Sequence, residues 1–373
     1  MRIAIIATEV KQLVMHRLNL IRALLADGHE VVAIAPQDLG QVERLTDMGA
    51  KFAHWTISRS GTNPLREIGY LWALRSILRT QGVQLVLSHT PKANLHSMLA
   101  ALSCRLRFIP NISGLGSTFL HKNWVSKVVE LLYRLTLRRA HKVFFQNPDD
   151  MGLFIQKDLV YSEQSICLPG SGVDLSRFTM QSLPDHAPFA PVFLMIARVI
   201  RDKGVVEFVD AAREVLRCYP QAQFQLLGSL DNHNPSGIPH SQVKLWESEG
   251  VLTYKEQTDD VRSFLIQADC VVLPSYREGI PRVLLEAAAM GRPLITTNAP
   301  GCRETVINGV TGWVCHTADA SDLARCMLSF IATPLGDRMA MARRGRQFIE
   351  TKFDERIVLQ TYLREVEILQ SNK

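Results

Sequence analysis

The chain has 373 residues, too long for one small binding module and about the length of two domains that each bury a core. Hydrophobic residues make up 47% and charged residues 21%, a globular balance that excludes disordered, collagenous and coiled-coil classes. Lys plus Arg exceed Asp plus Glu by 42 − 36 = 6, so charge alone implies a nucleic-acid partner only if the excess is clustered. The seven cysteines are odd in number, widely spaced and without C-x-x-C, which points to neither a disulfide framework nor a zinc site and fits a reducing compartment. The N-terminal apolar run is too short for a secretory signal, and no uncharged stretch approaches the ~18 residues of a membrane span. Any meeting with a membrane is therefore expected to be peripheral.

Short β-branched runs alternate with helical patterns from the start: IAIIAT at 3–8, the helical HRLNLIRALLADGHE ended at Gly28, then VVAIAP at 31–36. This is the strand-helix-strand unit of a parallel sheet. The rhythm continues through QLVLSH at 84–89, helix KANLHSMLAALSC, strand FIPNIS, helix WVSKVVELLYRLTLRR and strand KVFFQN at 142–147. A first domain is expected over 1–180, with a proline-rich linker over 181–191. The pattern then restarts with four near-continuously apolar strands, VFLMIAR at 192–198, QFQLLGS at 223–229, DCVVLPS at 269–275 and PLITTN at 293–298. These predict a second doubly wound domain over 192–350, followed by a C-terminal helix, 351–373, packing back toward the first domain. Open parallel sheets bind ligands beyond the carboxyl ends of their strands, so the loops after each strand are the places to search, and two such domains facing each other would line a cleft.

Arg198 follows a buried strand, and Arg201, Asp202, Lys203 and Gly204 lead into a helix, which sets cations beside helix N-terminal N–H groups, an arrangement suited to a diphosphate. Arg201 and Lys203 are equally readable as solvated loop charges. After DCVVLPS comes YREGIPRVLLEAAAMG, in which Glu278 and Gly279-Ile280-Pro281 precede a helix beginning near Arg282 and Glu286 falls among Val283, Leu284, Leu285 and alanines. A carboxylate at 278 suits sugar hydroxyls, and one at 286 is costly unless a ligand or partner satisfies it. The alternative gives Glu278 to the helix dipole and Glu286 to an exposed helix face.

EGIPRVLLE resembles the E-x7-E motif of the retaining family 4 glycosyltransferases of GT-B fold, and Arg198 with Lys203 resembles their nucleotide-diphosphate clamp. PGCRETVINGVTGWV at 300–314 and PGSGVD at 169–174 are similar to further motifs of the family, so the resemblance covers nearly the whole chain. It implies two Rossmann-like domains and transfer of a sugar with retention, without a metal, in agreement with the absence of D-x-D. By the same resemblance Arg198 and Lys203, with the backbone of Gly279, Ile280, Pro281 and Arg282, would meet the donor diphosphate. Glu278 would hold donor-sugar hydroxyls and Glu286 the ribose, with UDP-sugar as donor.

SRSGTNP at 58–64, SHTPKAN at 88–94 and NISGLGSTF at 111–119 look like motifs of the subgroup that extends polyprenyl-diphosphate-linked sugars for O-antigen, capsule or glycoprotein glycans, including N-acetylgalactosaminyltransferases acting on bacillosamine lipid. Ser58, Arg59, Lys92 and Asn94 become acceptor candidates, and Gly114 and Gly116 allow close backbone approach; each segment also reads as an ordinary turn or surface loop. Two departures stand out. The family's Gly-Gly loop after the first strand is replaced by TEVKQLVMHR, leaving Lys11 or the backbone near Glu9 in its place, and the usual His after the strand FIPNIS is Ile112-Ser113-Gly114. His89 is the substitute catalytic candidate, though a strand-end His is as often structural.

From 105 to 142 lie eight Lys or Arg against one acid, Glu130. On a helix starting near Trp124, Trp124, Val128, Leu131 and Leu135 form a stripe flanked by Lys127, Arg134 and Arg138, a pattern suited to the inner leaflet's cytoplasmic surface, or to a core-packed helix with solvated charges. No aromatic platform accompanies the cluster, so nucleic acid is not expected. The expectation is thus a cytoplasmic, peripherally membrane-associated hexosyltransferase. A GT-B epimerase or a UDP-sugar-binding protein without turnover are the alternatives, and a dehydrogenase is disfavoured because the first strand lacks G-x-G-x-x-G.

Overall fold

The computed structural model describes residues 1–58, 63–114, 124–185, 190–231 and 234–371. The chain forms two compact units, Met1–Ser171 with Arg356–Lys373, and Gly172–Glu355.

The first unit is a seven-stranded parallel sheet of β1 (Arg2–Ile6), β2 (Glu30–Ala35), β3 (Lys51–His54), β4 (Leu85–His89), β5 (Arg107–Ile112), β6 (Val143–Phe145) and β7 (Ser165–Cys167), in the order β3-β2-β1-β4-β5-β6-β7. Successive residues of a strand point to opposite faces, so the strands feed two cores. Ile3 and Ile5 of β1 pack in one with helices α1 (Val10–His16), α2 (Leu18–Ala26) and α3 (Leu39–Thr46). Ala4 and Ile6 pack in the other with α4 (Pro64–Thr80), α5 (Pro91–Cys104), α6 (Trp124–Leu137) and α7 (Pro148–Gln156). The last helix, α14 (Glu355–Ser371), joins the first of these cores through Val358, Tyr362, Val366 and Leu369, whose spacing puts them on one face. Asn111 Nδ2, at the end of β5, donates to the Tyr362 hydroxyl at 2.9 Å.

The second unit has six parallel strands, β8 (Val192–Ile196), β9 (Gln223–Leu227), β10 (Thr253–Lys255), β11 (Cys270–Leu273), β12 (Leu294–Thr297) and β13 (Gly312–Cys315), in the order β10-β9-β8-β11-β12-β13. Its helices are α8 (Val205–Cys218), α9 (His240–Ser248), α10 (Arg262–Gln267), α11 (Arg282–Ala289), α12 (Ala320–Ala332) and α13 (Leu335–Lys352). In both units the strand order reverses once, between β1 and β4 and between β8 and β11. Such reversal points open a crevice at the carboxyl ends of the strands.

Three local features differ from the sequence reading. The helix expected from His16 begins earlier, at Val10, and breaks at Arg17 (φ −130°), so Lys11 lies in a helical first turn and not in a loop. Four short strands, β3, β7, β10 and β13, extend the sheets at their edges. The chain joins the second unit from Gly172 on and not after residue 180, because Val173 and Phe178 sit in that unit's core.

Arg292 pins the incoming chain to the second unit. It is 1% exposed, and its guanidinium donates to the carbonyls of Ala268 (3.1 Å), Met290 (3.2 Å), Gln181 (2.7 Å) and Ser182. Burial pulls this guanidinium down to about 10. Arg292→Leu leaves these carbonyls without their donor and is expected to destabilise the second unit by about 4 kcal/mol, read as a lowered urea midpoint of its unfolding transition.

Candidate functional site

The reversal point of the second sheet is built from the loops after β8 and β11. Arg198, two residues past β8, precedes a 3-10 turn at Arg201–Lys203, and Gly204 (φ +74°) opens α8. A Cβ at Gly204 would lie 2.2 Å from the Pro274 carbonyl oxygen beyond β11, so only glycine lets the two loops approach this closely. They are also stitched by polar contacts. The Tyr276 amide donates to the Asp202 carbonyl at 3.0 Å, and the Tyr276 hydroxyl donates to Glu207 Oε1 at 2.6 Å. Lys203 Nζ forms an ion pair with Glu278 Oε1, with both side chains largely buried. Two sequence candidates separated by 75 residues thus meet directly.

Glu278 is followed by Gly279, buried Ile280, and Pro281, which caps α11, so the first-turn N–H groups of α11 follow directly on the carboxylate. One turn further along, Arg282 Nη2 pairs with Glu286 Oε1 at 3.0 Å. Burial pushes the Glu286 carboxyl up, while Arg282 and Arg177 pull it down. Its side chain is only 13% exposed, which removes the reading of Glu286 as an exposed helix position.

Arg198 is held by a residue the sequence reading missed. Its Nη1 lies 3.0 Å from Asp231 Oδ2, in the loop after β9. The segment around Asp231 lies along the cation loop: Val199 N donates to Ser229 O, Arg201 N to Ser236 O at 2.7 Å, and Ile238 N to Val199 O. The rule that singled out Arg198, inspection of residues just past an apolar strand, applies equally to Asp231 after QFQLLGS.

In the first unit the candidates separate. Ser58 is exposed past β3, and Gly114 (φ +127°) follows β5. Arg59 and Gly116 lie outside the described residues. Lys92, at the start of α5, pairs with Glu67 of α4 at 2.8 Å and sits over the Tyr70 ring. Glu67 also reaches His96 Nε2 at 3.1 Å. Asn94 corrects the sequence reading: it is fully buried and donates to the Asn111 carbonyl at 2.8 Å, tying α5 to β5 and presenting nothing at the surface. His89 is 5% exposed, and among the described residues its Nε2 has no hydrogen-bond partner. Burial pushes this imidazole well below its ordinary range, and the charges of Arg17 and His16 add to the effect. A neutral, enclosed ring of this kind is a poor proton donor. The next residue, Thr90, adopts φ +74° and buries a hydroxyl that has no partner among the described residues, a strained junction that only the backbone reveals.

Among the described residues no group of three or more His, Cys, Asp or Glu side chains is placed to hold a metal ion, and buried Cys270, Cys302, Cys315 and Cys326 are thiols outside any disulfide. Part of the basic cluster is engaged internally. Arg107 donates to the Leu369 carbonyl, Lys142 to that of Glu163, and Arg138 pairs with Asp158.

Two doubly wound parallel domains, the second with an acid–base pair and a helix N-terminus at its reversal point, are the construction of a GT-B glycosyltransferase. Residues 14–166 match the glycosyl transferase 4-like domain and residues 185–348 match the glycosyl transferases group 1 domain. The chain thus carries the two domains of a GT4-type, GT-B glycosyltransferase. It is 29% identical, over 98% of both chains, to the N,N'-diacetylbacillosaminyl-diphospho-undecaprenol alpha-1,3-N-acetylgalactosaminyltransferase of Campylobacter jejuni. It is 22% identical, over 71% of its own length and 70% of the other's, to the UDP-Gal:alpha-D-GlcNAc-diphosphoundecaprenol alpha-1,3-galactosyltransferase of Escherichia coli. Its fold superposes on Anabaena HepE, solved with UDP-glucose, with a TM-score of 0.80 over both whole chains at 18% identity.

Proposed function

We propose that this glycosyltransferase moves a sugar, an N-acetylhexosamine, from a UDP donor to a polyprenyl-diphosphate-linked saccharide with retained anomeric configuration and without a metal. The product belongs to the assembly of an O-antigen, capsule or glycoprotein glycan at the cytoplasmic face of the inner membrane. The observation that carries the reading is the meeting of Lys203 with Glu278 at the reversal point of β8 and β11, directly before the N-terminus of α11. The match over 98% of both chains to a transferase named for a diphospho-undecaprenol acceptor supports this acceptor class.

In this reading the departing UDP carries the charge that grows along the reaction. Arg198, Lys203 and the N–H groups of Gly279 to Arg282 stabilise it, doing by fixed dipoles and cations what a metal does elsewhere. Both cations already face a carboxylate, Arg198 on Asp231 and Lys203 on Glu278, so their heads are held in place before a diphosphate arrives. Glu278 then turns its remaining acceptor capacity to sugar hydroxyls, and Glu286, fixed by Arg282, takes the ribose. In the first unit, Ser58, Arg59, Lys92, Gly114 and Gly116 belong to the acceptor side, with Lys92 oriented by Glu67. The basic region 105–142 holds the enzyme at the anionic leaflet.

The test is a thermal-shift panel of UDP, GDP, ADP, NAD and UDP-sugars without metal, on wild type and Arg198→Ala. A ligand at a hundred times its Kd stabilises the folded state by about 2.7 kcal/mol. UDP species alone are expected to raise the wild-type midpoint, with the shift lost in the variant. A GDP response would change the donor, and silence toward every nucleotide would overturn the site.

A further inference from the structure

We propose that the outer face of α4, together with those of α5 and α6, is a docking surface for an anionic lipid bilayer, with Leu65, Ile68 and Trp72 entering the interface and Arg75 and Arg79 meeting lipid phosphates. This deepens, and rests on, the reading that the first unit works at a membrane; it adds α4, which that reading did not use.

Helices that cover a sheet normally turn a polar face to water. Here α4 does not. Leu65 is 82% exposed, Ile68 52% and Trp72 59%, and their spacing of three and four residues puts them on one face. The same face continues into Arg75, whose guanidinium lies 5.0 Å from the Trp72 ring centroid, and exposed Arg79. The apolar half and the cationic half therefore follow one another along a single stripe. Tryptophan and arginine are the side chains suited to a headgroup boundary, one end apolar and the other charged.

The stripe does not stand alone. Both α4 and α6 pack against α5, with the Cys104 thiol of α5 on the Arg75 carbonyl and the Tyr133 hydroxyl of α6 donating to the Pro91 carbonyl. On α6, Val128 (46%), Leu131 (55%) and Leu135 (49%) are exposed, and on α5 Leu95 and Leu99 are only half-buried. Three neighbouring helices in one layer thus carry outward apolar side chains.

Charge selects the occupant. From Ile68 to Val129 the chain contains no Asp or Glu, and among its described cations Arg79, Arg105 and Lys127 are exposed, with Arg75 half-buried beside Trp72. The acids at either end of this run are engaged within the unit: Glu67 with Lys92 and His96, Glu130 with Lys157. A broad layer that is apolar and cationic with no exposed acid between complements an anionic bilayer, where each basic residue near the surface contributes about fivefold in partitioning.

The experiment is sedimentation of the full chain with phosphatidylcholine vesicles, with or without phosphatidylglycerol. Four proteins are compared: wild type, L65S/I68S/W72S, R75Q/R79Q and V128S/L131S/L135S, each checked by melting temperature. Wild type is expected on the anionic vesicles only. R75Q/R79Q should lower the partition coefficient about 25-fold, and L65S/I68S/W72S at least tenfold. Since R75Q/R79Q changes only surface charge, it tests the face even if the triple variant folds poorly. Wild-type partitioning in both α4 variants would overturn the role of α4; loss confined to V128S/L131S/L135S would then leave the membrane reading standing on α6 alone. Absence of wild-type binding would overturn both. A dimer of wild type that L65S/I68S/W72S converts to a monomer in light scattering, without vesicle binding, would make the face a contact between two copies and also overturn the proposal.

Discussion

Glu278→Gln is expected to lower kcat/KM for sugar transfer roughly a thousandfold while the protein still folds and still binds UDP. The glutamine keeps the size of the side chain and an oxygen that accepts from Lys203, so the ammonium is not stranded in the largely buried pocket that the two share. What it loses is the negative charge, and with it the strength of acceptance from donor-sugar hydroxyls. Alanine would be a poorer choice. It removes the partner of a mostly buried lysine, and breaking a buried pair is costly in its own right, so lost activity would be mixed with lost stability. Measuring kcat/KM beside the UDP-induced melting shift separates the two effects. Transfer within threefold of wild type would remove Glu278 from the site.

Much of this arrangement is legible in the sequence because the second unit obeys one rule with few exceptions. Its central strands, β8 and β11, are almost wholly apolar and buried on both faces, so they announce themselves, and the residues just after them, Arg198, Lys203 and Glu278, fall where the topology of a doubly wound sheet places ligands. The edge strands were not legible for the opposite reason. β3 reads KFAH and β10 reads TYK, each short and largely uncovered, with no continuous apolar run to mark them. The boundary at Gly172 is equally hidden, since Val173 and Phe178 look no different in sequence from residues of the first core, and it takes their packing in the second core, with the bonds of Arg292 to Gln181 and Ser182, to show which unit the segment joins. Long-range pairings are the general blind spot. Nothing local in the sequence says that Asp231 reaches Arg198, or that Asn94 turns inward to Asn111. The exposed stripe of α4 illustrates a subtler failure: Leu65, Ile68 and Trp72 have the spacing of an ordinary core-facing stripe, while the face that actually packs uses Leu74 and Leu78.

Gly301→Ala is expected to cost at least a hundredfold in kcat/KM although residue 301 carries no charge and lies beyond the E-x7-E segment. A Cβ built at Gly301 would lie 2.3 Å from the Gly279 carbonyl oxygen and 2.4 Å from that of Glu278. Both partners are backbone, so no side chain can swing aside, and the Glu278 amide is itself bonded to the Pro300 carbonyl at 3.0 Å. Relief therefore requires moving the 278–279 loop by about 1 Å, a displacement of the size that costs about two orders of magnitude when it occurs at a reacting centre. Gly301 also has φ +85°, which an alanine adopts only with strain. Gly309→Ala supplies the control: it has a similar φ of +73° but open space around its Cβ, and so shares the strain without the collision. Both variants should lose about 1 kcal/mol of stability from the backbone conformation, and only Gly301→Ala should lose transfer. Equal activities in the two would mean that the position of the Glu278–Gly279 backbone does not govern the reaction, and the loop would have to be set aside as the donor site.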